Sequence, residues 1–390
     1  MKAVVAIDSF KGCLTSLEAG QAAKEGILRV YPDAQVALLP LADGGEGTVE
    51  TLTGGMGGAV QRIRVTGPLG SPVECEYGIV QDENGSRTAV IEIAQAAGLT
   101  LVPEERRDPL LATTYGVGEV IRDAMERQCR RFLVGIGGSA TNDGGIGMLQ
   151  ALGFEFLDRA GNPVSRGARG LKDLAEIRTE NALPELRDCT FRVACDVTNP
   201  LCGAEGSSAV YGPQKGAAAD TIEQMDRWLR AYAELTARVF PHASPDFPGA
   251  GAAGGMGFAF RSYLGADLAP GAGIVLEETG FERELASADL VITGEGRLDG
   301  QTAMGKAPIG AARLAKRHGI PVFAFAGSVT PEAAACNVAG IDAYFPILRG
   351  VSSLEEAMDR ENAVRNMADA VEQVMRVWKL QEKTKKFKNF

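Results

Sequence analysis

Both ends of the chain repeat one pattern: a short apolar run, a polar loop opening on an acid or a glycine, and a segment of helical period. "KAVVAID" leads into "SLEAGQAAKEGILRVY", whose apolar residues recur at helical spacing behind Ser16 as the expected N-cap, and "AQVALLPLA" follows as a second buried strand. Toward the other end "ADLVITGEG", "IPVFAFAG" and "IDAYFPI" alternate with the helical segments "MGKAPIGAARLAKRHG" and "TPEAAACNVAG". Parallel neighbours need a crossover between them, so this alternation predicts a parallel sheet covered by helices. The middle breaks the pattern. "VQRIRVTGP", "VECEYGIVQ" and "RTAVIEIAQ" are separated only by the turn segments "GPLGSP" and "DENGS", which predicts antiparallel strands. The helix "TTYGVGEVIRDAMERQ" and the strand "RRFLVGIG" come next, then a long glycine-rich stretch. The expected fold is α/β with two α/β domains: a Rossmann-like parallel-sheet domain built from residues 1–60 and 285–390, and a large mixed α/β domain inserted at 61–284.

Composition narrows the function. With 390 residues, 45% of them hydrophobic, the chain can fill two substantial cores. No stretch approaches the roughly 20 apolar residues a membrane helix needs, and "MKAVVAIDSF" carries an aspartate too early for a signal peptide, so a cytoplasmic protein is expected. Seven scattered cysteines without a C-x-x-C pair suit a reducing compartment, and two distant histidines make an ordinary zinc site improbable. The net charge of −10 argues against nucleic acid as a partner. From Lys379 onward the tail "KLQEKTKKFKNF" reverses the sign with five Lys and one Glu, and reads as a solvated terminus. A homodimer is the default assembly.

Four loops that follow apolar strands carry chemistry. "AIDSFKG" places Asp8, Ser9 and Lys11 at the carboxyl edge where open α/β sheets bind ligands. "PLADGGEGT" sets Asp43 and Glu46 three residues apart, a spacing that serves magnesium, a general base, or simply a helix N-terminus. "GIGGSATNDGGIGM" is a strand-to-helix turn in which Gly137 and Gly138 expose backbone amides, Ser139 and Thr141 add hydroxyls, and Asp143 offers a carboxylate. "ACDVTNPL" presents Asp196 and Asn199, and "YGPQKGA" adds Gln214 and Lys215 between glycines. The run from Gly300 to Lys306 nearly spells the phosphate loop G-x-x-x-x-G-K-[ST], but Ala307 lacks the hydroxyl that reaches magnesium. Gly294-Glu295-Gly296 is moreover expected to turn the chain before that run begins, too early for a P-loop. Glu295, Arg297, Asp299 and Lys306 remain as groups able to address phosphate and metal.

Taken together, "AIDSFKG", "PLADGGEGT", "IGGSATNDGG", "ACDVTNPL", "GPQKGA" and "TGEGRLDGQTAMGKAPIG" resemble, in order and nearly in wording, the bacterial glycerate kinase family, type 1. The resemblance covers residues 1 to about 375 and leaves out the basic tail; Cys13 and Cys202 stand where small hydroxyl residues are common in the family. It implies two α/β domains with the active site in the cleft between them, no P-loop, and transfer of the γ-phosphoryl group of ATP, with Mg2+, to D-glycerate, usually on the 2-hydroxyl. Within that frame Asp196 is the leading general base, only slightly ahead of Asp8. Lys11, Arg297, Lys306 and Lys215 are expected to neutralise phosphate or carboxylate, and Asp43, Glu46, Asp143 and Glu295 to hold the metal. Two rival functions fit the residues less well. A nicotinamide-dependent dehydrogenase lacks a G-x-G-x-x-G after the first strand, and a non-catalytic sugar-acid sensor has no use for so many acids and lysines at loop ends.

Overall fold

The structure, a computed structural model, describes residues 1–45 and 47–388, with side chains described through Leu380. Glu46 and the side chains of the basic tail beyond Leu380 lie outside the described residues. Among the described residues thirteen strands occur in chain order: β1 (Lys2–Ile7), β2 (Gln35–Leu38), β3 (Ala59–Thr66), β4 (Pro72–Gln81), β5 (Arg87–Glu92), β6 (Cys129–Gly135), β7 (Glu155–Leu157), β8 (Glu176–Arg178), β9 (Thr190–Ala194), β10 (Asp267–Ala269), β11 (Leu290–Leu298), β12 (Val322–Val329) and β13 (Ala343–Pro346). The chain divides into two compact units, one of Met1–Asp43, Gly54–Met56 and Ala272–Phe390, the other of Gly44–Thr53 and Gly57–Gly271. Among the described residues no helix is long and apolar enough to cross a membrane.

In the first unit five strands make one wholly parallel sheet, in the order β13-β12-β11-β1-β2. The strand order runs one way from β1 to β2 and the other way from β11 to β13, so it reverses at the β1/β11 pair. Ligands of open α/β sheets settle beside such a reversal, at the carboxyl ends of the strands. Ile7 stands opposite Gly294 there, which puts Asp8 and Glu295 one residue further along on adjacent strands. Ile7, Ile27, Ile292, Phe325 and Met367 fill the core around the sheet. The expected second buried strand is instead a four-residue edge strand with no buried residue, since β2 has a neighbour on one side only.

Thr15, not Ser16, caps the helix Ser16–Val30. Its hydroxyl accepts the Glu18 amide at 3.2 Å while the Glu18 carboxylate accepts the Thr15 amide at 2.9 Å, a reciprocal capping box. Ser16 serves the neighbouring strand instead. Its hydroxyl donates to the Ile7 carbonyl at 2.6 Å and accepts the Leu41 amide at 3.1 Å. One side chain thus fastens the end of β1 to the loop that leads into Asp43.

The long helix Arg360–Lys388 packs along Ser16–Val30. At their contact a Cβ on Gly26 would stand 2.4 Å from the Ala368 carbonyl oxygen and 2.9 Å from Val371 Cβ. Gly26→Ala is therefore expected to cost about 1–3 kcal/mol of stability, the usual penalty of overpacking. A lowered urea midpoint with unchanged specific activity is the result to look for; an unchanged midpoint would mean the two helices separate freely.

The second unit holds a six-stranded mixed sheet, β10-β9-β6-β5-β4-β3. The β3/β4 and β4/β5 pairs are antiparallel, as the short turns predict, and β5, β6, β9 and β10 are parallel neighbours. A small antiparallel pair, β7/β8, lies apart from it. Its own aromatic core includes Phe132, Phe156, Tyr232, Phe258 and Phe260. Along the chain the two units exchange at residues 43/44, 53/54, 56/57 and 271/272. Two local attachments account for this. The Val49 amide donates to Glu92 at the end of β5, 2.8 Å away, which ties the residues before 61 to the mixed sheet. Leu276 and Ala272 pack beside Gly310, which ties the helix Gly271–Glu278 to the parallel-sheet unit.

Candidate active site

The carboxyl ends of the parallel strands surround a cavity of about 410 Å³ in the first unit. Asp8, Ser9 and Lys11 come from the loop after β1, Asp43 from the loop after β2, Glu295 and Arg297 from β11, and Lys306 from the N-terminus of the helix Ala307–Arg317. All of these are site candidates from the sequence, and the structure brings them together. Asp8 is 9% exposed. Burial, then the nearby charge of Asp43, raise its carboxyl from an ordinary 3.8 to about 7; Glu295 adds to the rise, and the Ser9 amide and Lys11 oppose it. The Ser9 amide donates to Asp8 Oδ1 at 2.7 Å, fixing the carboxylate at the strand end.

Glu295 is raised as well, chiefly by burial, against the pull of the Thr302 hydroxyl and Lys306. Thr302 Oγ1 donates to Glu295 Oε1 at 2.5 Å, and Lys306 Nζ lies 3.8 Å from Glu295 Oε2. Arg297 stays mostly exposed, with Nε 3.8 Å from Asp299 Oδ2. Three cations thus share one cavity with the four carboxylates of Asp8, Asp43, Glu295 and Asp299. An arrangement of this kind can hold a polyphosphate, and it supplies one carboxyl poised to exchange a proton near neutral pH.

The strand β11 corrects one expectation. Gly294-Glu295-Gly296 does not turn the chain: pairing with β12 continues through Leu298. Gly294 is required instead by close approach, because a Cβ there would lie 2.0 Å from the Phe325 carbonyl oxygen. Residues 295 and 297 consequently point to the same face of the strand. Gly300 follows the strand after a single residue, so spacing alone does not exclude a P-loop.

The P-loop is excluded on other grounds. Asp299 caps the one-turn helix Gly300–Ala303, accepting the amides of Gln301 and Thr302 at 2.9 and 3.2 Å, so those donors are not available to phosphate. Burial pushes the Asp299 carboxyl up, but these amides, with Lys306 and Arg297, outweigh it and hold it low. Lys306 is the N-cap of the next helix rather than a residue inside it, and Ala307 is fully buried. Ala307→Ser is thus expected to give no rise in magnesium-dependent turnover; a several-fold gain in kcat would restore the P-loop reading.

Among the expected site residues of the second unit, Ser139, Thr141, Asp143 and Lys215 are buried, and Gly137, Gly138, Asp196 and Gln214 are exposed. Asp143 is fully buried and accepts the amides of Thr114 (2.9 Å), Gly145 (3.0 Å) and Gly147 (3.3 Å) and the Thr114 hydroxyl (2.9 Å). Burial raises its carboxyl despite these bonds. Such a group has little capacity left for a metal. Lys215 is also buried; its ammonium donates to Ser139 Oγ at 3.0 Å and to the Thr141 carbonyl at 2.6 Å, and burial lowers it to about 7. These two bonds hold the 137–145 loop in shape. The amides of Ala140, Gly144 and Gly145 are already bonded to Ala97, Gly254 and Asp143, while Gly137 and Gly138 stay exposed at the tip.

Asn199 spans its own loop, donating to the Glu205 carbonyl at 2.8 Å and accepting from Tyr211 Oη at 2.6 Å. Asp196 is exposed, with Oδ1 accepting the Gly271 amide at 3.1 Å, and Gln214 is exposed. Sequence reasoning passes over Thr302, which positions Glu295, and over Ser328, Leu354 and Met358, which line the cavity. The end of the apolar run "IPVFAFAGS" signals Ser328. Leu354 and Met358 carry no chemical signature.

Comparison with known proteins identifies the family. The model of the glycerate kinase family matches residues 3–379. A glycerate kinase of Bacillus subtilis is 46% identical over 95% of this chain and 98% of its own. A glycerate 2-kinase of Escherichia coli K12 is 47% identical over 92% of this chain and 93% of its own. A crystal structure assigned to glycerate kinase 2 of Salmonella typhimurium LT2 superposes with a TM-score of 0.90 at 45% identity, covering 98% of this chain and 99% of that one. A match that runs nearly end to end, on a chain whose parallel sheet gathers cations and carboxylates at its point of reversal, leaves one conclusion: the chain belongs to the glycerate kinase family.

Proposed function

We propose that the chain transfers the γ-phosphoryl group of ATP to the 2-hydroxyl of D-glycerate. The observation that carries this reading is the near full-length identity of 44–47% to proteins named glycerate kinase, and the choice of the 2-hydroxyl rests on the Escherichia coli relative's name. The parallel-sheet cavity is the reaction centre. The hydroxyl oxygen forms a bond to the γ-phosphorus as the bond to the β-phosphate bridging oxygen breaks; the hydroxyl proton passes to Asp8, and ADP leaves. Asp8 takes the base role that sequence reasoning gives to Asp196, because Asp8 is buried among charges with its carboxyl raised to about 7, whereas Asp196 is exposed and engaged by the Gly271 amide. Lys11, Arg297 and Lys306 neutralise charge on the transferred group, which is most of what phosphoryl transfer asks of a protein.

Magnesium fits the donor set. Asp43 and Glu295 are hard oxygen ligands in the same cavity as Asp8, and the mutual repulsion of these carboxylates is relieved by a divalent cation. Among the described residues no group of three acids, histidines or cysteines forms a ready-made metal cage. Mg2+ commonly takes only one or two carboxylates, with water and substrate phosphate completing its shell, so Asp43 and Glu295 would suffice. Bound there, the cation would offset charge on the phosphates. The cytoplasm is the proposed compartment, supported by seven cysteines that are all free thiols.

Phosphorus NMR of the product tests the position. A resonance coupled to the single proton on carbon 2 is the expected result; coupling to the two protons of carbon 3 would replace 2-phosphoglycerate with its isomer.

A further inference from the structure

The charged groups account for only part of the cavity wall. Phe10, Cys13, Ile347, Leu354, Ala357 and Met358 line the same space. The last three belong to the short helix Leu354–Met358, which Ser353 and Glu356 cap reciprocally. Met358 reaches back to the loop after β1: a Cβ on Gly12 would lie 3.4 Å from its terminal methyl, so the methionine stands one residue from Lys11. Leu354 and Met358 line the cavity yet remain 79% and 40% exposed, two large apolar side chains left open to water at its mouth.

Glycerate gives these side chains nothing to pack against. Each of its three carbons bears oxygen, and an apolar wall would leave those oxygens without partners. A nucleoside base is different, since it offers two flat apolar faces, and a methionine thioether packs well on an aromatic ring. The apolar wall adjoins the loop of Lys11, and Arg297 and Lys306 lie in the same cavity, which suits a ligand that has both an apolar part and a polyanionic part. We infer that the parallel-sheet unit is the nucleotide-binding unit, with the base of ATP seated against Met358 and Leu354 and its phosphates directed to Lys11, Arg297 and Lys306. This rests on the kinase reading and adds to it the seat of the donor.

The test is steady-state kinetics of wild type, Leu354→Ala and Met358→Ala, with inorganic tripolyphosphate as a competitor that has phosphates and no base. Both substituted side chains are at least partly exposed, and a thermal melt checks that each variant folds. The expected result for Met358→Ala is a KM for ATP raised roughly tenfold, the fold-change that follows from losing the apolar contact this side chain makes when the base covers it. Its KM for D-glycerate and its kcat at saturating ATP stay within about twofold of wild type, and inhibition by tripolyphosphate is the same in both proteins. A raised KM for glycerate with that for ATP unmoved would overturn the inference and give the apolar wall to the acceptor. An unaltered KM for both substrates in both variants would overturn it too. Failure of the kinase reading itself looks different: wild type would then form no ADP with glycerate.

Discussion

Asp8→Asn is expected to lower kcat by about 10²- to 10⁴-fold, the range for loss of a general base, and at the same time to make the protein more stable above neutral pH. The two effects have one cause. The folded carboxyl titrates near 7 against an ordinary 3.8, because burial and the charges of Asp43 and Glu295 disfavour the ion. A group whose folded pKa is raised contributes its full stability below about 3.8 and loses it as pH rises through about 7. Around pH 8 the wild-type fold therefore carries an ion where it would prefer the neutral acid, at a cost on the order of 2–4 kcal/mol. Asparagine, neutral and of the same shape, escapes that cost. Urea midpoints of the two proteins should diverge between about pH 4 and 7, stay apart above that and converge in acid, while wild-type kcat/KM rises with pH across the region near 7. A variant that keeps more than about a third of wild-type kcat would remove Asp8 from the base role. Equal midpoints at pH 8 would show that Asp8 is not strained by its surroundings.

Lys306→Ala carries the second large effect. The ammonium stands 3.8 Å from Glu295, and the residue caps an eleven-residue helix whose N-terminal dipole adds to its field. It sits where charge develops as the phosphoryl group moves, so its loss should raise the barrier by about 2–4 kcal/mol, roughly 30- to 1000-fold in kcat, by analogy with removal of one oxyanion donor. Lys306→Arg should recover only part of this, because a planar fork replaces a compact charge. Glu295 also loses the cation that favours its ionised form, so the activity of Lys306→Ala should need higher pH. Full activity in Lys306→Ala would leave the residue as surface structure.

The carboxyl-edge loops are readable because each pairs an apolar strand with polar residues at its end; Asp8, Lys11, Asp43, Glu295, Arg297 and Lys306 all follow from that grammar, and they share the cavity. Burial inside a loop is not readable. Asp143 and Lys215 look like ligand residues in "GGSATNDGG" and "GPQKGA", but glycine and small polar residues serve equally well to pack a buried polar turn, and only the bonds to Thr114, Ser139 and Thr141 distinguish the two uses. Gly294 misleads in the same way: a glycine marks close approach as often as a turn, and the β11/β12 register decides between them. Leu354 and Met358 are invisible, since an apolar residue at the mouth of a site has the composition of any half-exposed helix. Family resemblance supplies the reaction, and it assigns no roles; those depend on burial and hydrogen bonding.

Incubating the full chain with ATP, Mg2+ and D-glycerate while following ADP puts both the reaction and its base at risk in one assay. ADP formation should depend on D-glycerate and fall by at least about 100-fold in Asp8→Asn. No glycerate-dependent ADP, with either a change in nicotinamide absorbance or binding without turnover in its place, would contradict the kinase reading.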